Sequence, residues 1–328
     1  MARSQLGHRA LVTAPLRGPG LDKLRRLAEV VHEPWTDQVP LRLYDGPALA
    51  ARLESEGADI AVVEADFVTG PVFDLPLLAV AATRGDPNNV DIPAATKAGV
   101  PVLRTPGRNA DAVAELAIGL LIAVVRRVLP ADEDVREVAV FKDGTIPYQR
   151  FRGWELAGRR AAIIGLGAVG RALEWRLRGL GMEVATYDPY VDDAGHDLRA
   201  ALAGADVVSL HAAVTPETIE MFGAEQFAWT NPGAVFLNTA RAKLADLDAL
   251  VAALASGHLS GAGLDHFEGE QLPAGHPLLA MKNVVLTPHI GGATNETEAR
   301  GAAMVADDLE RLMAGERPLH IVNPEVLA

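Results

Sequence analysis

From Ala161 the chain runs Ala-Ala-Ile-Ile into Gly165-Leu-Gly167-Ala-Val-Gly170, an apolar run followed by three glycines at fixed offsets. The pattern predicts a buried strand, a tight turn and a helix start. Eighteen residues after Gly170 an acid, Asp188, closes the next apolar run. That order is the fingerprint of a dinucleotide-binding βαβ unit. Each glycine has its own mechanical reason: Gly165 permits the turn, Gly167 lets backbone approach a pyrophosphate, and Gly170 lets helix and strand pack closely. The helix start adds unpaired N–H groups and positive potential. Asp188 is placed to accept hydrogen bonds from ribose hydroxyls and to repel a 2′-phosphate, and Asp192 and Asp193 add negative charge beside it. NAD is therefore expected over NADP.

The fingerprint sits in the second of two series of short apolar runs. Residues 9–13, 29–32, 59–64, 78–82 and 100–103 read as strands separated by helical patterns near 21–28, 48–56 and 92–98. A second series follows at 160–164, 183–187, 206–210, 234–237, 261–264 and 284–286. Alternation of this kind predicts an α/β chain with two doubly wound parallel sheets, helices on both faces of each. Two longer helical stretches, 111–127 and 294–314, fall outside both series and read as crossover helices. The tail after Gly315 then returns to the first domain and makes it discontinuous, giving a domain of 1–104 with 293–328 and a nucleotide domain of 105–292. Residues 140–158, rich in Gly, Pro and aromatics, read as a long loop.

Composition narrows the partners. A net charge of −13, with the cations scattered, argues against nucleic acid. The absence of cysteine removes disulfides, thiolate catalysis and Cys-ligated zinc. Residues 1–10 lack the apolar core of a secretion signal, and the apolar stretch 116–125 is half a bilayer span, so a cytoplasmic protein with no membrane contact is expected.

Three candidates for chemistry lie at or just past the carboxyl ends of consecutive strands of the second series: Arg241, Glu270 and His289. Those ends are where such sheets bind ligands. Moving a hydride to or from a hydroxyl-bearing carbon requires one group that gives and takes a proton near neutral pH, and histidine suits it. A carboxylate on His289 would favour its charged form, and Arg241 can anchor a substrate carboxylate and polarise the neighbouring carbonyl. His211 is placed either to line the adenine side of a cofactor or to serve as a hydrogen-bonded structural histidine. Asp265, ending its strand, is placed to meet a nicotinamide amide. His266 and His276 have no metal-like spacing, and no metal is expected. In the first series Thr83-Arg84-Gly85-Asp86-Pro-Asn-Asn89 follows a strand and approaches a helix start, so its backbone could hold a substrate carboxylate.

At these residues the chain resembles the D-isomer-specific 2-hydroxyacid dehydrogenases, which include D-3-phosphoglycerate dehydrogenase and glyoxylate/hydroxypyruvate reductase. The resemblance covers nearly the whole chain: Thr105-Pro-Gly-Arg-Asn109 with Val113-Ala-Glu115, the fingerprint, the run from Leu210 to Thr218, Asn238-Thr-Ala-Arg241, the run from Leu264 to Glu270, and Thr287-Pro-His-Ile-Gly-Gly292. It implies a Rossmann domain inserted into a flavodoxin-like substrate domain, a homodimer formed mainly through the nucleotide domains, and a catalytic set of Arg241, Glu270 and His289. It also implies NAD held by Gly165, Gly167, Gly170, the Ala168 and Val169 backbone, Asp188, the turn His211-Ala212-Ala213, Thr239 and Ala240, Asp265, Gly291 and Gly292. The substrate, a small 2-hydroxy or 2-oxo acid, would meet Arg84, Gly85, Asp86, Asn109 and Arg241.

The chain departs from the family pattern in four ways. Arg84-Gly-Asp86 stands where Gly-x-Gly is usual, and Glu64-Ala-Asp66 where phosphoglycerate-type members carry an Arg, which is expected to repel a phosphate. Ala213 and Gln271 stand where proline is usual, and the chain ends without the regulatory domains of some relatives. A polar substrate other than 3-phosphoglycerate is expected. The alternatives are phosphoglycerate oxidation proper, phosphite oxidation on the same scaffold, and an NADH-sensing corepressor-like protein without turnover. Formate oxidation is disfavoured, because those relatives carry Gln where this chain has Glu270.

Overall fold

The computed structural model describes residues 7–328, so the first six residues of the stretch read as lacking a secretion signal lie outside the described residues. The chain divides into two compact units, Met1–Arg108 with Thr294–Ala328, and Asn109–Ala293. Both sheets are wholly parallel, with helices, as the alternation of patterns requires.

The first unit carries β1 (Arg9–Val12), β2 (Glu29–His32), β3 (Ile60–Val63), β4 (Ala79–Ala82) and β5 (Val102–Leu103) in the order β2-β1-β3-β4-β5. All residues of β3 and β4 are buried, which explains continuous apolar runs instead of alternation. On one face the helix Gly46–Glu56 packs, started by Asp45, whose side chain accepts from Ala48 N at 2.9 Å. On the other face the helices Gly18–Leu27 and Asn295–Met313 cross so closely that a Cβ on Gly20 would lie 2.3 Å from Ala303 N. The tail packs on this unit: Ile321 bridges Leu103 in antiparallel fashion, and Asn323 accepts from Val102 N at 2.8 Å.

The second unit carries β6 (Arg160–Ile164), β7 (Glu183–Tyr187), β8 (Val207–Leu210), β9 (Ala234–Asn238), β10 (Leu259–Leu264) and β11 (Val284–Leu286) in the order β11-β10-β9-β8-β6-β7. The chain runs outward in both directions from β6 and β8, so the switch point lies at their carboxyl ends. The helix Ala110–Val125 covers one face, with the helix Ala168–Gly179 beside it. A Cβ on Gly263 of β10 would lie 2.8 Å from the Leu120 side chain.

Three local expectations are corrected. β10 starts at Leu259, two residues early, because its register to β9 shifts between Leu259 and Gly261 and leaves Ser260 exposed. The helix expected over 111–127 ends at Val125, and Arg127, at φ +52°, starts a separate helix, Val128–Arg136. The loop expected over 140–158 contains a helical turn, Pro147–Arg150. The buried Asp134 braces this region, accepting from Lys142 at 2.5 Å and Arg150 at 2.8 Å, which pull its carboxyl below the usual range. Among the described residues no helix is long and apolar enough to cross a membrane.

Candidate active site

The glycine turn divides its labour in a way the structure makes measurable. Gly165 sits at φ +97°, and a Cβ there would stand 2.5 Å from Ala212 N; a Cβ on Gly170 would stand 2.1 Å from the Gly165 carbonyl oxygen. The chain itself demands those two glycines. Around a Cβ on Gly167 nothing lies within 4 Å. Gly167 thus leaves open space at the start of the helix Ala168–Gly179, whose first N–H groups face outward from the ladder. This cradle fits a pyrophosphate.

Asp188 follows β7 and accepts from Leu166 N at 2.9 Å and Tyr190 N at 3.0 Å, so it buttresses the glycine turn. The expectation that Asp193 adds free negative charge is corrected: Arg171 pairs with both its oxygens, at 2.7 and 2.8 Å. His211 follows β8 with its Nε2 2.8 Å from Ser209 Oγ, and burial lowers its pKa to about 4, leaving a neutral ring. At the end of β9, Asn238 ties the turn by accepting from Ala240 N at 3.1 Å and donating to the Arg241 carbonyl at 2.9 Å. The buried Thr239 hydroxyl has no partner among the described residues. Sequence reasoning missed Ser209 and Asn238, which act on neighbours two or three residues away.

Glu270 and His289 meet. Both carboxylate oxygens of Glu270 lie 3.0 Å from His289 Nδ1, and both residues hold left-handed backbone, at φ +63° and +55°. Non-glycine residues rarely adopt that region, and it costs of order 1 kcal/mol or more each. The turn that imposes it on His289 is clamped by Asp265, which is wholly buried and accepts from Ile290 N at 2.9 Å, Gly291 N at 2.8 Å and Thr287 Oγ1 at 2.6 Å. Asp265, expected to face a nicotinamide amide, gives both oxygens to its own chain and is the anchor of the His289 turn. A Cβ on Gly291 would come within 3.0 Å of that carboxylate, and one on Gly292 within 3.4 Å of the Asn109 amide.

Arg241 is exposed and folds its guanidinium back to the Ala240 carbonyl at 2.6 Å. His266 stacks on His289 with ring centroids 3.7 Å apart. Burial first, then the positive potential of His289 and Arg241, lowers the His266 pKa to about 3. Arg241 is therefore electrostatically within reach of His266. Spacing along the sequence gave His266 no ligand-like partner, yet one ligating atom each from His266, Glu270 and His289 lie within 4.8 Å of one another.

In the other unit the expected substrate loop is tied down. The Arg84 carbonyl accepts from Thr105 N at 2.8 Å, the Gly85 carbonyl from Arg104 at 3.3 Å, and the Arg84 guanidinium reaches Asn88 at 3.0 Å. The nearby helix start is capped by its own Asp91, which takes Ala94 N at 3.0 Å. Asp86 is exposed. The two acids expected to repel a phosphate are corrected as well: Glu64 is ion-paired with Arg108, and Asp66, wholly buried, accepts from Thr13 at 2.5 Å and Tyr44 N at 2.7 Å. Glu64 therefore presents no uncompensated charge, and the Asp66 carboxylate is withdrawn into the core against neutral donors.

Residues 118–291 match the family model described as D-isomer specific 2-hydroxyacid dehydrogenase, NAD binding domain. The chain is 36% identical over 334 residues to a glyoxylate reductase of Korarchaeum cryptofilum, covering 97% of each. It is 37% identical over 301 residues to a D-3-phosphoglycerate dehydrogenase of Mycobacterium tuberculosis, covering 88% of this chain and 55% of that one. Among solved structures, the NADPH-dependent glyoxylate/hydroxypyruvate reductase of Sinorhizobium meliloti in complex with citrate superposes with a TM-score of 0.77 at 26% identity, covering 97% of this chain and 98% of that one.

Proposed function

Because the chain belongs to the D-isomer specific 2-hydroxyacid dehydrogenase family, we propose that it interconverts a small polar 2-oxo acid and its D-2-hydroxy acid, with His289 as proton carrier, Glu270 as its partner and Arg241 as substrate anchor. It is an oxidoreductase that uses NAD(H). The observation that carries the catalytic assignment is the Glu270–His289 pair, both oxygens at 3.0 Å and both residues in left-handed backbone.

When bound, the nicotinamide gives hydride to, or takes it from, the substrate carbon. His289 handles the accompanying proton. With Nδ1 turned to Glu270, Nε2 is the atom left for the substrate oxygen, and the neutral ring that remains after donation keeps Nδ1–H on the carboxylate. Arg241 presents a fork that matches a carboxylate and draws electron density from the adjacent carbonyl. Gly167 with the Ala168 and Val169 N–H groups would hold the cofactor's pyrophosphate, and Thr239, the His211–Ala213 turn, Gly291 and Gly292 would line the remainder of its site. Asp188 favours NAD by accepting from the ribose. Residues 105–292 serve the nucleotide, and 1–104 with 293–328, through Arg84, Gly85 and Asp86, serve the substrate, with Asn109 at the junction in sequence.

The protein is a cytoplasmic homodimer in this reading, joined through the nucleotide domains. Leu129, Val135, Val138, Phe141 and Tyr148 support it, being large apolar side chains left exposed on one stretch of that unit. A panel of 2-oxo acids offered with NADH and NADPH, with 3-phosphoglycerate and phosphite offered with NAD, tests the function. Turnover of a small polar 2-oxo acid with NADH is expected. Tight NADH binding without turnover of any of them would replace the enzyme with a sensor.

A further inference from the structure

We propose that His266, Glu270 and His289 form a binding site for a borderline-soft divalent cation, Zn2+ foremost, whose occupancy shuts off the proton carrier. The metal-binding half stands on geometry alone; the shut-off rests on the catalytic roles proposed above.

One ligating atom from each residue lies within 4.8 Å of the other two. Zinc held at about 2.0–2.1 Å by tetrahedral ligands places those atoms roughly 3.4 Å apart. The side chains therefore need to close by about an ångström, and the two exposed members have room for it: the side chain of Glu270 is 64% exposed and that of His289 40%. Two imidazoles and one carboxylate are a ligand set that suits zinc and leaves its fourth position open.

His266 supplies the second, independent reason. Its body is buried, with 9% of its surface exposed, and neither ring nitrogen has a hydrogen-bond partner among the described residues. Packing alone would be served by an apolar ring, whereas this imidazole stacks directly on His289. The Arg241 guanidinium opposes a second cation here, and the Glu270 carboxylate offsets it. A cation seated between Glu270 and the His289 Nδ1 displaces the proton they share and holds the ring's one remaining proton on Nε2, so the ring can no longer become the doubly protonated imidazolium that gives a proton and is left with no lone pair to take one back.

The test uses the full chain stripped with a chelator, then titrated with Zn2+ against a chromogenic competing chelator, with Co2+ absorption as a spectroscopic reading of the ligand set. One tight equivalent per chain is expected. His266→Ala is expected to weaken it by about a hundredfold, the loss of a direct ligand exceeding the effect of an outer-shell change. Glu270→Gln, at an exposed position that does not threaten folding, is expected to weaken it as well, and His196→Ala, at an exposed histidine outside the cluster, to leave it unchanged. Equal Zn2+ affinity in wild type and both cluster variants, or no tight equivalent in the wild type, overturns the site. In the activity arm, NADH turnover is expected to fall with the same Zn2+ dependence and to return with chelator. Zn2+ bound at the site with turnover intact overturns the shut-off. If no 2-oxo acid is turned over, the function proposed above fails while the affinity comparison still decides the metal site.

Discussion

The two parallel sheets carry acids past the carboxyl ends of their strands, and they treat them in opposite ways. After β3, Glu64 is paired with Arg108, and Asp66 is buried against Thr13 and the Tyr44 backbone. After β10, Asp265 is buried in the same internal manner, but Glu270, five residues on, stays exposed and turns both oxygens to an exposed imidazole. Position at a strand end therefore does not by itself mark a functional acid. What separates the two kinds is whether the side chain is satisfied by buried donors or left open to solvent on strained backbone, as at Glu270 and His289.

The largest effect that would break this contrast is expected at the open pair. His289→Ala should lower kcat/KM by about 10²–10⁴-fold, the usual share of a general acid–base group, with NADH affinity by fluorescence titration unchanged. Asp66→Ala should do the reverse: it strands Thr13 and the Tyr44 N–H in the core, costing about 2–4 kcal/mol in urea unfolding, while kcat stays level. A third test sharpens the contrast through pH. His211 is neutral in the folded chain because burial lowers its pKa from 6.5 to about 4. The unfolded chain therefore takes up a proton first as pH falls, and stability should decline between about pH 6.5 and 4; His211→Gln should flatten that slope of the urea midpoint. The smallest effect is expected at the cofactor's ribose end, where Asp188→Ala should reduce the NAD to NADP preference by about tenfold, one charged hydrogen bond's worth.

Much of the fold was legible because fully buried parallel strands must be continuous apolar runs, as Ile60–Val63 and residues 161–164 are. The helices Leu198–Leu202 and Ala224–Ala228 were not, since five residues are too few for a helical period to emerge. Val128–Arg136 was hidden for another reason: Asp134 is its one buried residue, so it has no apolar face to read. In the site, the strand ends pointed to Arg241, Glu270 and His289, of which the structure joins Glu270 to His289, and the glycine offsets pointed to the turn before Ala168. The charges were harder. Whether Asp193 or Glu64 is free depends on Arg171 and Arg108, which stand 22 and 44 residues away in sequence. The stacking of His266 on His289, and the approach of Glu270 to His289, likewise arise only once β10 and β11 lie side by side.

The claim on which the rest depends is that the exposed imidazole of His289 moves the proton. The most direct measurement is turnover of His289→Ala at saturating NADH and 2-oxo acid, with and without added imidazole. The account predicts that turnover is lost in the unsupplemented variant and returns in proportion to the imidazole supplied. Wild-type turnover in that variant without imidazole would contradict it.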